Sequence, residues 1–367
     1  LANTNWLLLT HFEPVDLFLP IGISFYTFQS ISYVVDVYRR QIPSSENFLD
    51  YAFYMTFFPH LVAGPIVRAK DFLGQINAPE NLDARKYKES LLRIMLGLAK
   101  KLLIADYLGK YVDMVFENPS FYSGGENLLG ALAYSFQIYF DFSGYSDIAI
   151  GLALLLGYRL KENFDHPYGS YNVTEFWRKW HISLSTWLRD YVYIPLGGNR
   201  KGTLNTYLFL LITMLVGGFW HGASWQFVCW GAAHGLALAL HKALHKYLPE
   251  NKLMGFLGGI TTFVFVTFCW IFFRASDFDT ALLMLNQMAV STSLTDFIGF
   301  WFSRKELLIV LICLLIWTLI PANWKRTLFE GTFYIPSFLW FFFLLAVLQL
   351  IVQFRDTLVQ PFIYFQF

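Results

Sequence analysis

The chain has 367 residues, of which 56% are hydrophobic types, 20% aromatic and only 14% charged, and its formal net charge is +1. Soluble domains carry about 25% charged residues, so this is a membrane composition rather than a soluble fold with a large core, and nothing in the charge points to nucleic acid. Cys229, Cys269 and Cys313 each stand alone in an apolar run with no CxxC, which argues against a disulfide framework or a cysteine-based zinc site.

A membrane helix needs roughly 20 mostly apolar residues. Stretches of that kind fall at roughly 15–35, 127–157, 204–220, 225–241, 255–273, 306–320 and 336–354, and helices are the expected spanning form. The first residue is Leu and the chain opens close to a membrane-type segment, so further sequence is expected before it. Residues 51–64 are too short to span; Pro59, Gly64 and Pro65 suggest a re-entrant or broken element. Residues 83–117 space apolar side chains three and four apart among lysines, which reads as an amphipathic helix on a membrane surface. Residues 172–195 read the same way, with Asn172 or Thr174 as cap, Glu175 in the first turn, and Trp177, Trp180, His181, Leu184 and Leu188 on one face. The expected fold is all-α and polytopic, one transmembrane unit over 1–367.

The positive-inside rule places Arg39, Arg40, Arg159, Lys161, Arg178, Lys179, Arg200, Lys201, Lys242 and Lys246 in the cytoplasm and the loop 274–279 outside. In that scheme 204–220 runs outward, 225–241 runs back, and His221 sits at an outer turn rich in glycine and tryptophan.

Ionisable groups within spans are costly unless paired or facing a cavity, so each is a functional candidate. The run "YFDFSGYSDIAIG" carries Asp141 and Asp147; they either line a polar break in the helix or pair with lysines and arginines of neighbouring helices. His60 in "FFPHLVAGPIVR" either lines a path or is a satisfied interfacial ring. His234, on the helix after His221, reads as a packing hydrogen bond. His221 in "GGFWHGASW" is the candidate base: a neutral imidazole takes a proton from a hydroxyl and returns one, and Trp220 and Trp225 would exclude water. No HExxH, P-loop, GxSxG or GxGxxG is usable, and no acidic pattern near His221 and His234 supports a metal.

Five stretches now fall together: "LPIGISFYTFQSISYVVDVYR" (19–39), "FFPHLVAGPIVRAKDF" (57–72), "YFDFSGYSDIAIG" (139–151), "FWRKWHISLSTWLRDYVYIPLGGNR" (176–200) and "GGFWHGASWQFVCWGAAHG" (217–235). In this order they resemble the membrane-bound O-acyltransferase superfamily, in particular the branch of membrane subunits of alginate and peptidoglycan O-acetyltransferases. Beyond about residue 250 the match is only a pattern of apolar helices. The resemblance implies further spans before residue 1, and it maps the family's signature histidines onto His221 and His181. It implies that both face a tunnel reached from both sides of the membrane, with many helices around a thinned centre.

The activity implied is transfer of an acetyl group, with acetyl-CoA as cytoplasmic donor substrate and no bound cofactor, toward hydroxyls of an exported alginate-like polysaccharide or peptidoglycan. His221 would be base and then acid, and His181 would orient, relay or contact the thioester. Asp141, Asp147, Trp220, Trp177 and His60 are candidate supporting or tunnel-lining residues, and Arg178 and Lys179 candidates for the donor's phosphates. An extracytoplasmic, esterase-like partner of the SGNH type is implied, as is a bacterial cytoplasmic membrane. Within the superfamily the rival is D-alanyl transfer to teichoic acids; outside it, a transporter or flippase using Asp141, Asp147 and His60 as a proton relay.

Overall fold

The computed structural model describes residues 22–61, 64–247, 251–355 and 360–363. Among them every regular element is helical. Helix α1 (Ile23–Tyr38) opens the described chain, and positions 15–21 of the first expected span lie outside it. Then α2 (Phe48–Thr56) starts at Asn47, whose side chain accepts from Leu49 N, and the chain breaks at Phe57 before a single turn over Phe58–Leu61. Extended backbone leads into α3 (Ala69–Ile76), so the described residues of 51–64 form a broken element, as its prolines suggest.

The segment read as a surface helix over 83–117 is placed differently. It is one helical run: α4 (Ala84–Ala99), a π turn over Lys100–Ala105, and α5 (Asp106–Glu117). This run lies antiparallel along α6 (Gly124–Leu155), the longest helix described. Gly151 meets Ser90 and Ile94, Gly144 meets Gly97, and Gly130 meets Val115. A Cβ on Gly97 would stand 2.5 Å from the Gly144 carbonyl oxygen, so only glycine permits this approach. Some of the charges that suggested an interfacial helix are neutralised within the pair. Lys100 binds Asp147, Arg93 lies 3.7 Å from the same carboxylate, and Lys101 reaches Asp106 at 2.8 Å and Asp141 at 2.6 Å. Consecutive lysines both reach α6 side chains from the widened π turn, a local irregularity that often marks functional regions.

Residues 172–195, by contrast, are not one helix. Asn172 does cap, accepting from Glu175 N, but α7 (Val173–Lys179) ends at Trp180, and α8 (Ile182–Leu188) starts again after His181. A second π turn covers Arg189–Tyr193. The break is held by a left-handed backbone at His181 (φ 40°, ψ 56°), a costly conformation for a residue with a Cβ.

Helices α9 (Thr203–His221) and α10 (Trp225–Leu244) form a tight hairpin, where a Cβ on Gly218 would lie 2.3 Å from the Phe227 carbonyl oxygen. After them come α11 (Lys252–Arg274), α12 (Phe278–Val290), absent from the expected spans, and α13 (Leu294–Leu319). Pro321 precedes α14 (Ala322–Gly331), and the chain bends by 98° between Leu294–Leu319 and Ala322–Tyr334. The last described helix is α15 (Ser337–Phe354). By length and composition α6, α9, α10, α11 and α15 can each cross a membrane, and the bent pair supplies a possible sixth crossing. The chain is an all-α, multi-pass membrane protein.

Candidate functional site

Four elements converge on one aromatic region: the break before α8, the α9–α10 turn, the middle of α6 and the end of α11. His221 ends α9 and is half-buried. Ring centroids of Trp220, Phe273, Trp230 and Phe227 lie 4.5, 4.7, 5.3 and 6.1 Å from its imidazole. The glycines beside it provide room rather than an unusual turn: Gly222 is extended, and a Cβ there would lie 2.7 Å from the Phe227 ring. Gln226 fixes the turn to the end of α11 through the carbonyls of Ala275 and Ser276.

His181 is 1% exposed. Trp220 packs against both histidines, with its ring centroid 4.5 Å from His221 and 6.5 Å from His181. On another side Phe142 of α6 meets the His181 ring edge-on at 4.6 Å. Asn163, a buried residue that sequence reasoning missed, clamps the break. Its side-chain oxygen accepts from Ser183 N at 3.2 Å and Ser183 Oγ at 2.9 Å, and lies 3.2 Å from His181 Nδ1. The main-chain donor fixes that amide's orientation, so Nδ1 carries the imidazole proton and Nε2 is the basic nitrogen. Burial, and then the neighbouring His221, hold His181 well below the ordinary histidine range, so it is neutral at physiological pH. The only sequence trace of Asn163 is a polar residue between two spans, which names no partner.

The other candidates are distributed as follows. Trp177 donates its indole N–H to His234 Nδ1 at 3.2 Å, a buried hydrogen bond joining α7 to α10. Asp147 is held by Lys100 and Arg93. Asp141 is held by Lys101 and accepts from the backbone of Ile363. His60 belongs to a separate aromatic group with Phe57 and Phe72, where burial pushes its pKa down to about 4. Lys179 pairs with Glu175 at 2.7 Å, and Arg178 is exposed. Reasoning from sequence also missed a polar group near the end of α1. There Arg68 binds Asp190 at 2.6 Å and covers the Tyr191 ring, while Tyr191 donates to Asp36 at 2.7 Å. Helix α1 runs from this group to the site: Phe28 packs 5.0 Å from Trp220, and its carbonyl accepts from Trp187 Nε1 at 3.1 Å.

The profile of the membrane-bound O-acyltransferase family (MBOAT) matches residues 37–276, which include the His181–His221 region. "Probable alginate O-acetylase AlgI" of Pseudomonas aeruginosa is 49% identical over 279 residues, covering 76% of this chain and 53% of that protein. "Peptidoglycan O-acetyltransferase" of Helicobacter pylori is 40% identical over 321 residues, 78% of this chain and 60% of the relative. "Teichoic acid D-alanyltransferase" of Streptococcus thermophilus is 31% identical over 315 residues, 78% of this chain and 70% of the relative. The chain thus spans little more than half the length of the alginate-type relatives it matches.

Proposed function

The chain belongs to the membrane-bound O-acyltransferase family, and on that premise we propose that its protein is an O-acetyltransferase moving an acetyl group from a cytoplasmic thioester donor, acetyl-CoA, toward hydroxyls of an exported polysaccharide. One observation carries the reading: His221 and His181, far apart in sequence, come together beside Trp220 in an aromatic enclosure. His221 keeps access to the surface. His181 is sealed by Phe142 and Trp220 and locked in one tautomer by Asn163. In this arrangement His221 takes the proton of the attacking hydroxyl as oxygen bonds to the thioester carbonyl carbon. The C–S bond then breaks and the proton passes to the sulfur. His181 orients the reacting group through its basic Nε2. Base catalysis of this kind contributes about 10²–10⁴-fold, and positioning in a water-poor aromatic site supplies further acceleration.

The orientation fits the charge distribution. Arg39 and Lys242 gather with Asp190 and Asn199 at one end of the bundle, while the loop after Arg274 lies beside the His221 turn. The donor enters from the first end and the acceptor from the second. In this reading the membrane is the bacterial cytoplasmic membrane, and the immediate acceptor is an extracytoplasmic SGNH-type partner or the polymer itself. The relatives at 49–51% identity carry the O-acetylase name and those at 28–31% the D-alanyl name, which favours acetyl over D-alanyl transfer.

The test is His221→Gln in the full-length protein, with surface polysaccharide analysed by mass spectrometry for acetyl and D-alanyl esters. Loss of acetyl ester at normal protein level is expected. Wild-type acetyl content would refute the assignment of His221, and loss of D-alanyl ester alone would refute the acetyl reading.

A further inference from the structure

We propose that residues 360–363 form part of the site, and that Asp141 and Phe362 are positioning residues that seat the His181 ring. The segment has no long regular element of its own, yet Phe362 and Ile363 are each only 1% exposed. A strand of chain threaded among helices needs partners for its main-chain polar groups. Asp141 provides one: its Oδ2 accepts from Ile363 N at 2.8 Å, while its Oδ1 faces Lys101 at 2.6 Å. Lys101 also serves Asp106, so one ammonium stands between two buried carboxylates, and the Ile363 N–H adds positive character beside Asp141.

This anchor fixes the neighbouring side chain. Phe362 packs 4.4 Å from Tyr145 and 5.6 Å from Phe142, ring centre to ring centre. Phe142 meets the His181 imidazole edge-on at 4.6 Å, with the planes at 83°. The His181 ring therefore has Asn163 at Nδ1, Trp220 at 6.5 Å, and Phe142 as a wall that Phe362 backs. Without Phe362, Phe142 gains space to withdraw and the imidazole loses that wall. A misplacement of about 1 Å in a catalytic arrangement costs about 10²-fold in rate. The segment thus links the Lys101–Asp106–Asp141 group, which takes no part in the proton transfers, to the geometry of the site.

The proposal rests on the acyl-transfer reading only for its kinetic arm. The variants, made in the full-length protein, are Ile363→Pro, which deletes the N–H donor, Phe362→Ala, and Phe362→Leu as the conservative replacement. One readout is the rate of carbethoxylation of His181 by diethyl pyrocarbonate, followed by mass spectrometry, with His234 as internal control. The other is acetyl transfer, resolved into kcat and acceptor KM. Phe362→Ala and Ile363→Pro are expected to speed modification of His181 about 10-fold at unchanged His234, and to lower kcat by up to about 10²-fold at unchanged KM. Phe362→Leu is expected to restore part of both. Unchanged His181 reactivity in folded Phe362→Ala, or parallel rises at His181 and His234, would overturn the proposal. If wild-type protein transfers no acetyl group, the function reading fails, and His181 reactivity alone then decides this one.

Discussion

Replacing Lys101 by Met tests whether the α4–α6 pairing depends on its internal charges. Lys101 is 5% exposed, and the two carboxylates it serves, Asp106 and Asp141, are each 2% exposed. Its ammonium lies 2.8 and 2.6 Å from their oxygens. At an effective dielectric near 20, unit charges 4 Å apart interact by about 4 kcal/mol, and these contacts are shorter. Desolvation offsets much of that attraction while the group is intact. Once the cation is removed, Asp141 remains buried without the ammonium that offsets its charge, and breaking a buried pair in this way costs about 3–5 kcal/mol. Unfolding of purified protein in detergent should show a loss of that size for Lys101→Met. Adding Asp141→Asn to Lys101→Met should recover part of it, since that carboxylate's charge is removed along with its cation. Arg159→Met is the control: its pair with Glu80 is half exposed, and pairs of that kind contribute about 0–1 kcal/mol. A Lys101→Met protein within about 0.5 kcal/mol of wild type would refute the reasoning.

Asn163→Ala should destabilise by about 1–3 kcal/mol, because Ser183 N and His181 Nδ1 lose a buried acceptor, and it should lower acetyl transfer more than His234→Gln does. Gly231→Val should splay the α9–α10 hairpin, since its Cβ would lie 2.5 Å from the Met214 carbonyl oxygen; the expected readout is a loss of folded protein on size-exclusion chromatography. His60 gives a pH prediction: above about pH 6.5 it is neutral in both states. Below that the unfolded chain takes up a proton that the buried ring refuses until about pH 4, so stability falls as pH drops through this window. His60→Phe should flatten the stability–pH curve between those values, and an unchanged slope would argue against burial as the cause.

Most of the spans were legible in the sequence because their signals are local. A run such as 337–354 is apolar throughout, and a histidine between "GGFW" and "GASW" is unexpected in any membrane segment. The segments that the structure redrew, 83–117 and 172–195, have helical spacing in both cases, but spacing does not say what neutralises a charge or where a helix breaks. Lys100 and Lys101 read as interfacial until Asp147 and Asp141, some 40 residues further on, are folded against them. His181 reads as mid-helix until Asn163, 18 residues earlier, supplies the acceptor that sustains a left-handed turn. The sequence alone determined the membrane class and most of the long apolar helices, since these follow from composition and short-range pattern. Only the tertiary structure decided which aspartate answers which lysine, which wall stands behind His181, and that Trp220 packs against both imidazoles. Those relations join residues far apart along the chain, and they arise only when buried charges and main-chain donors must find partners out of reach of water.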